Sequence, residues 1–175
     1  LTEILPSGNR DVFAALGKDL PKKVDDVTYE VTLRDGAVFH NNSPVTADDV
    51  VASILHHRGA DSKSAAKSLL EPVTSVKADG PNTVIFELTG GNADFPYTVS
   101  DYHMPIMPKN EDGSVDWQSG IRTGAYKLEK FEPGVSATFT KNENYYKTGK
   151  GWFDRVEFLS IKDVAAVGVR RGRGL

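Results

Sequence analysis

The sequence predicts an α/β chain in which strands of a mixed sheet combine with two helices, and three observations indicate this class. Apolar and polar residues alternate from Val27 to Leu33, which is typical of a half-buried strand. A capping sequence followed by an apolar stripe indicates a helix that begins at Ala47. Further strand-like runs are separated by turns that contain glycine and proline.

The composition limits the function classes. A chain of 175 residues is long enough for one domain, or for one domain and part of a second. Its 21 basic and 24 acidic side chains give a formal net charge of -3, so nucleic acid and anionic membrane surfaces are poor partners. The absence of cysteine excludes disulfides and thiolate metal sites but does not identify a compartment.

The start of the chain lacks the pattern of a secretory leader. No charged segment followed by an apolar segment occurs in Leu1 to Arg10, and no apolar run approaches the roughly 20 residues that span a bilayer. We therefore expect either a mature form or a start that was cut away.

The first helix is predicted from its cap and its period. Thr46 can cap the helix, and Asp48 and Asp49 suit the positive end of its dipole. Gly59 should end it. The residues expected to face the core recur at helical spacing: Ala47, Val50, Val51, Ile54 and Leu55.

A second helix and a hairpin are predicted next. A shorter apolar stripe from Ala65 to Leu70 indicates a helix that stops by Glu71, because Pro72 has no amide donor. The runs Val73–Ala78 and Thr83–Leu88 flank a segment whose composition suits a turn, so they predict a hairpin.

The second half of the chain predicts a further sheet region. The prolines of residues 104–108 favour an extended segment, and residues 109–120 are expected to be a polar excursion on the surface. Three later runs have the composition of strands, namely Ala125–Phe131, Ser136–Lys141 and Arg155–Ile161. The end of the chain, Val167–Leu175, is rich in arginine and glycine and should be frayed.

Candidate catalytic groups have simpler interpretations. Asp48 and Asp49 point in directions about 100° apart on a helix, and capping explains both acids. His56 and His57 are adjacent, so they cannot ligate one metal as an i, i+4 pair could. His40 and His103 lie in predicted loops without a serine or aspartate partner that spacing would place beside them. The aromatic residues are better candidates for pocket walls, although most belong to the core: Tyr97, Tyr102, Trp117, Tyr126, Tyr145, Tyr146 and Trp152.

Four segments, in this order and spacing, resemble the family 5 extracytoplasmic solute-binding proteins, which bind peptides, nickel or oligosaccharides. The helix start, with proline, threonine, alanine and aspartate in Ser43–Val50, is the most specific of them. The resemblance covers roughly Val24 to Asp163. The segments are Thr28–His40 with Ser43–Val50, the hairpin Val76–Leu88, Pro105–Lys109, and Thr123–Leu128 with Asn142–Tyr146.

The resemblance implies a fragment of a periplasmic-binding-protein-like class II fold. Residues 24–108 would form the small mixed lobe, while residues 1–23 and 109–166 would belong to the hinge-bearing lobe. Family members are more than twice this length. They continue as an alanine-rich helix where this chain has the arginine- and glycine-rich residues 167–175, which we expect to be a non-native tail left by truncation or a change of reading frame.

The resemblance also implies a function without chemistry. The expected activity is binding of a solute, such as a peptide, for an ABC importer at the periplasmic or extracellular face of the cytoplasmic membrane. The partners would be the solute and the permease subunits, with no cofactor and no nucleic acid. Contact with the membrane would come only through a lost lipid anchor or the permease.

Five residues are the candidate ligand contacts. The resemblance implies that the turn at Thr123, Gly124 and Tyr126 lies at the cleft, where backbone groups can meet an extended ligand. Tyr102 and His103 are the other candidates. Two alternatives stay open: a secreted hydrolase of peptides or glycans, and a surface interaction domain with an apolar patch in place of a cleft.

Overall fold

The computed structural model describes residues 1–5, 11–59 and 61–162, and it divides the chain into two units, Leu1–Thr123 and Gly124–Leu175. The predicted frayed tail, Val167–Leu175, lies outside the described residues. Every strand pair in the described ranges is antiparallel.

The first unit contains a four-stranded sheet, a two-stranded sheet and short helices. The larger sheet has the strand order β3-β4-β6-β5, and the smaller one pairs β1 with β2. The strands are β1 Thr2–Ile4, β2 Val12–Ala14, β3 Lys22–Lys23, β4 Thr28–Thr32, β5 Val73–Asp79 and β6 Thr83–Leu88. The helices are α1 Ala47–Arg58, a 3-10 helix Ser68–Leu70 and α2 Phe95–Thr98.

The core of the first unit is built on the alternation of β4 and β6. Tyr29 lies opposite Phe86 and Val31 lies opposite Val84, and all four are buried. Helix α1 packs against β5 and β6. The ring of Phe95 in α2 lies 4.7 Å from that of Tyr29 and 5.1 Å from that of Phe86. The predicted strand and hairpin are therefore confirmed.

Helix α1 begins where its cap predicts but buries a different face. Thr46 and Asp49 form a capping box, which confirms the predicted start at Ala47. Leu55 is exposed, and Val51 is only half-buried. Asp49, Ser53 and His57 are buried instead, because each finds a hydrogen-bond partner in the same unit.

The second helix was predicted too long. Only Ser68–Leu70 is helical, and that segment is a 3-10 helix. The hydroxyl of Ser62 accepts a hydrogen bond from the N–H of Ser64, whose own hydroxyl accepts one from Ala66. Such local side-chain bonds offer the backbone an alternative to the α-helix, so the turn before Ser68 stays irregular.

The second unit is a three-stranded sheet of order β7-β8-β9. Its strands, β7 Tyr126–Glu132, β8 Ser136–Lys141 and β9 Arg155–Leu159, confirm the three predicted runs with small changes of boundary. Residues opposite each other in the register share a face. One face is therefore largely apolar, with Tyr126 and Lys141 at its end, and it carries Leu128, Phe131, Ala137, Phe139, Val156 and Phe158.

Candidate functional site

Two buried side chains of α1 hold the proline-rich segment 104–109 in place. The Oδ1 of Asp49 accepts a hydrogen bond of 2.8 Å from the N–H of Lys109, while its Oδ2 accepts from the N–H and hydroxyl of Thr46. The hydroxyl of Ser53 accepts from the N–H of Met107 at 2.9 Å and lies 3.3 Å from its carbonyl oxygen. The capping motif and the later proline segment are thus joined.

Tyr102 and His103 lie in the loop just before this segment. The imidazole Nδ1 of His103 lies 2.8 Å from the Oδ1 of Asp101, which also accepts the N–H of His103 at 2.9 Å. The ring of Tyr102 stacks on His103 with a centroid separation of 3.8 Å, yet Tyr102 is 84% exposed. Asp101 fixes the orientation of the imidazole, and the tyrosine ring faces solvent.

The other three candidates lie where, along the chain, the first unit ends and the second begins. Thr123 is the last residue of the first unit and Gly124 is the first of the second. Thr123 is half-buried, and its backbone and hydroxyl form no hydrogen bond with another described residue. Gly124 accepts from the amide of Asn142, and the hydroxyl of Tyr126 accepts from the N–H of Phe153. Gly124 and Tyr126 therefore stabilise the second unit itself.

Sequence reasoning missed a residue that supports Thr123. Arg122 donates to the carbonyl oxygens of Asp116 and Trp117, and burial lowers the pKa of its guanidinium below the ordinary value. Its backbone N–H and carbonyl oxygen bond to the Nδ1 and N–H of His40, at 3.3 and 2.8 Å. Because His40 is 82 residues away, spacing along the chain gave no signal of this pair.

Two other groups singled out in the sequence also have structural roles. Asp48 is exposed on the first turn of α1 and lies 3.7 Å from the ammonium group of Lys109. His57 is buried, its Nδ1 lies 2.6 Å from the hydroxyl of Ser64, and burial lowers its pKa from 6.5. In the described part of the chain, no group of three or more histidine, aspartate or glutamate side chains could hold a metal ion.

The candidate residues offer groups that can recognise a ligand. These groups are an exposed aromatic ring, an oriented imidazole and the backbone of one residue at a unit boundary. Such groups stack on a ligand or exchange hydrogen bonds with it.

No helix in the described ranges has the length and apolar character to cross a membrane.

The chain belongs to the bacterial extracellular solute-binding proteins of family 5. The family model, described as "Bacterial extracellular solute-binding proteins, family 5 Middle", matches residues 13–172. This match confirms the resemblance found in the sequence, and with it the class of binding protein and the location outside the cytoplasm.

Two proteins of Bacillus subtilis are similar to most of this chain. The uncharacterized protein YhjP of Bacillus subtilis is 32% identical over 138 residues. The match covers 79% of this chain and 23% of YhjP. The oligopeptide-binding protein AppA of Bacillus subtilis is 25% identical over 166 residues, covering 89% of this chain and 30% of AppA. The chain thus spans less than a third of the length of each of these relatives.

Solved structures show the same fold. The structure of NikZ from Campylobacter jejuni, in complex with Ni(L-His), superimposes with a TM-score of 0.82 at 27% identity. The superposition covers 98% of this chain and 35% of NikZ. AppA from Bacillus subtilis, in complex with a nonapeptide, gives a TM-score of 0.84 at 25% identity, over 97% of this chain and 35% of AppA. The expected class, part of a periplasmic-binding-protein fold, is confirmed.

Proposed function

We propose that this chain is part of the solute-binding component of an ABC importer, and that the solute is a peptide. The observation that carries the proposal is the family match over residues 13–172. The likeness to AppA in complex with a nonapeptide and to the oligopeptide-binding protein OppA supports a peptide, while the likeness to NikZ and to the nickel-binding protein NikA makes a nickel chelate the alternative.

In this proposal, each of the five candidate residues has its own role in binding the solute. Thr123 offers an unpaired N–H and carbonyl to an extended peptide backbone, as a neighbouring strand would. Tyr102 offers an exposed ring, and His103 offers an imidazole whose orientation Asp101 sets. Gly124 and Tyr126 shape the turn that follows. Arg122, which precedes Thr123 in the chain, and its partner His40 act as positioning residues for Thr123.

Transport requires a change of shape, for which we propose closure of two lobes on the solute. Residues 24–108 would form the small lobe, and residues 1–23 and 109–166 would contribute to the hinge-bearing lobe. A solute that binds the closed form better shifts the population towards it, and the permease then selects that form. This function needs no cofactor and no catalytic step.

The described residues offer one arrangement that a hydrolase could use, and its geometry favours a structural role. Ser64 lies beside His57, but its oxygen also accepts the N–H of Ala66, and the bond is to Nδ1 of the ring. A nucleophile needs a base that a third group orients. Hydrolysis of a peptide or glycoside panel by the purified chain would contradict the proposal of binding without chemistry.

Calorimetry and the surrounding coding sequence test the proposed function. Because closure needs two lobes, we expect the 175-residue chain alone to bind peptides of three to nine residues weakly or not at all. Micromolar affinity of this chain for a peptide would contradict the closure proposal. We expect the coding sequence around this stretch to encode a leader and a further lobe, beside permease and ATPase genes. Flanking genes unrelated to transport would count against the importer.

A second candidate function is supported by the apolar face of the β7-β8-β9 sheet. Phe131 and Phe158 lie on this face and are 64% and 63% exposed. Large exposed apolar patches mark sites of association between proteins. A surface interaction domain would use this face, and Phe158→Ser would then abolish self-association in size-exclusion chromatography while leaving any solute binding intact.

A further inference from the structure

A concave site lies in the first unit, at the C-terminal end of α1. It is a cavity of about 490 Å3, lined by His56, His57, Ser62, Lys63, Ser64 and Trp117. None of these six residues is among the candidate solute contacts. We refer to it below as the histidine cavity.

Trp117 reaches the histidine cavity because the 109–120 excursion is anchored on α1. Val115 is buried against Ala52 of α1 and Met107. The N–H of Trp117 donates to the carbonyl of Val115 at 3.0 Å, and its carbonyl oxygen accepts from the guanidinium of Arg122 at 3.0 Å. The backbone of Trp117 is thus held on both sides, while its indole remains 59% exposed.

The other wall is built by α1 and the serine-rich turn after it. The Nδ1 of His57 lies 2.6 Å from the hydroxyl of Ser64, which ties the turn to the helix. The rings of His56 and His57 meet edge to face at 5.3 Å. His57 is buried, whereas His56 and Lys63 are exposed and can move towards a ligand.

The polar groups of the lining are nearly all hydrogen-bond donors or potential cations. Lys63 contributes an ammonium group, the two histidines contribute imidazoles, the serines contribute hydroxyls, and Trp117 contributes an indole N–H. No carboxylate lines the cavity among the described residues. Asp116, next to Trp117, uses its Oδ1 to accept the N–H of Ser119. The ammonium of Lys63 has no carboxylate within ion-pair distance in the described part of the chain.

We propose that the histidine cavity binds a small oxyanion carried on a flat apolar group, as in an aromatic phosphate or carboxylate. Lys63 and His56 contact the anionic oxygens, and the flat group lies against the indole of Trp117. A concave site with one sign of charge concentrates ions of the opposite sign. Charge-assisted hydrogen bonds to an oxyanion are stronger than neutral ones.

The intrinsic fluorescence of Trp117 gives a direct measurement. The chain has two tryptophans, so Trp152→Phe leaves Trp117 as the single indole reporter. This variant is titrated with phenyl phosphate, benzoate, inorganic phosphate and, as the cationic counterpart, benzylamine. Ionic strength is held constant, because salt screens exposed charges over a Debye length of about 8 Å at 0.15 M.

We expect a saturable change of Trp117 fluorescence with phenyl phosphate or benzoate, and the tighter of the two identifies the anion. Inorganic phosphate should bind more weakly, and benzylamine should not bind. Lys63→Ala should weaken the aromatic anion about tenfold, the equivalent of one charge-assisted hydrogen bond. The matched control is Lys77→Ala, another exposed lysine in the first unit, which should leave affinity unchanged.

Three results would overturn the proposal. The first is the absence of saturation with either aromatic anion. The second is equal binding of benzylamine, which would indicate a merely apolar contact with the indole. The third is equal weakening by the Lys63 and Lys77 substitutions, which would indicate a general charge effect. Far-UV circular dichroism of each variant confirms that the fold is intact before binding is compared.

Discussion

Asp49 shows how one buried carboxylate joins two distant segments. Its oxygens accept hydrogen bonds from the N–H and hydroxyl of Thr46 and from the N–H of Lys109, which lies 60 residues away. Asp48 stands next to it but is exposed, and its ion pair with Lys109 spans 3.7 Å. These two neighbouring acids therefore contribute differently to the free energy of unfolding, because only Asp49 is buried.

We expect Asp49→Asn to lower the free energy of unfolding by about 2–3 kcal/mol, because the neutral amide cannot accept all three bonds and leaves buried donors unpaired. Urea denaturation measures this cost, and amide hydrogen exchange at Lys109 should become faster. Asp48→Asn is the matched control and should cost about 0–1 kcal/mol, as exposed ion pairs do. Equal costs for the two substitutions would contradict this role of Asp49.

His57 should make stability depend on pH. Burial, followed by the nearby His56 and His103, lowers the pKa of His57 from 6.5, so the unfolded chain binds a proton more readily than the folded one. The contribution of His57 to stability is therefore complete above pH 6.5. It is lost as the pH falls below 6.5 and through the lowered pKa of the folded state.

The measurement is the free energy of unfolding from pH 8 to pH 5, compared between the unchanged chain and His57→Gln. We expect the advantage of the unchanged chain to shrink as the pH falls. His56→Gln is the control and should keep most of the pH dependence, because burial is the larger cause of the lowered pKa of His57 and the nearby His56 the smaller one. An advantage that stays constant, or that grows towards pH 5, would show that His57 is not held neutral.

At the scale of elements, the local sequence determines turns and helix caps. Contacts with segments that are distant in the sequence determine which face of an element is buried. The β5-β6 hairpin turns at Gly80, whose φ of +74° lies in the left-handed region that favours glycine. Helix α1 begins at its capping box, as the local sequence predicts. Its buried face departs from the apolar stripe, because hydrogen bonds to Met107, Lys109 and Ser64 draw polar residues inwards.

We expect Gly80→Ala to destabilise the chain by about 1–2 kcal/mol, the cost of a left-handed backbone conformation in an L-residue. No atom lies within 4 Å of an added Cβ there, so the effect is one of conformation alone. Gly59→Ala is the control, since Gly59 has a φ of −50° and equally open space. Thermal denaturation should show little change for Gly59→Ala, and an equal loss in both variants would contradict the argument.

At the scale of the whole molecule, apolar burial is unevenly distributed. All buried hydrophobic residues in the described ranges lie between Leu1 and Val115, within the first unit. The second unit has an amphipathic three-stranded sheet, and its buried residues include the polar Thr138 and Asn142. Since burial of apolar surface drives folding, the first unit holds most of the driving force.

We therefore expect residues 1–123, expressed alone, to fold and to unfold cooperatively, because they contain their own core. Residues 124–162 alone should not show a cooperative transition, since a single sheet without a covered apolar face is marginal in water. Circular dichroism during thermal unfolding measures both. A cooperative transition in the shorter piece, with none in residues 1–123, would reverse this assignment.

By itself, the sequence determined what depends on neighbours along the chain. The strand that starts at Thr28, the cap at Thr46, the hairpin turn and the three later strands follow from alternation, capping and turn chemistry, and the family was recognisable from motifs in order. Only the tertiary structure decided which polar groups are buried and what they hold. Asp49 with Lys109, Ser53 with Met107 and His40 with Arg122 join residues at least 54 positions apart. Such pairs depend on how the chain folds back in space, and local sequence patterns do not predict contacts between residues that are distant in the sequence.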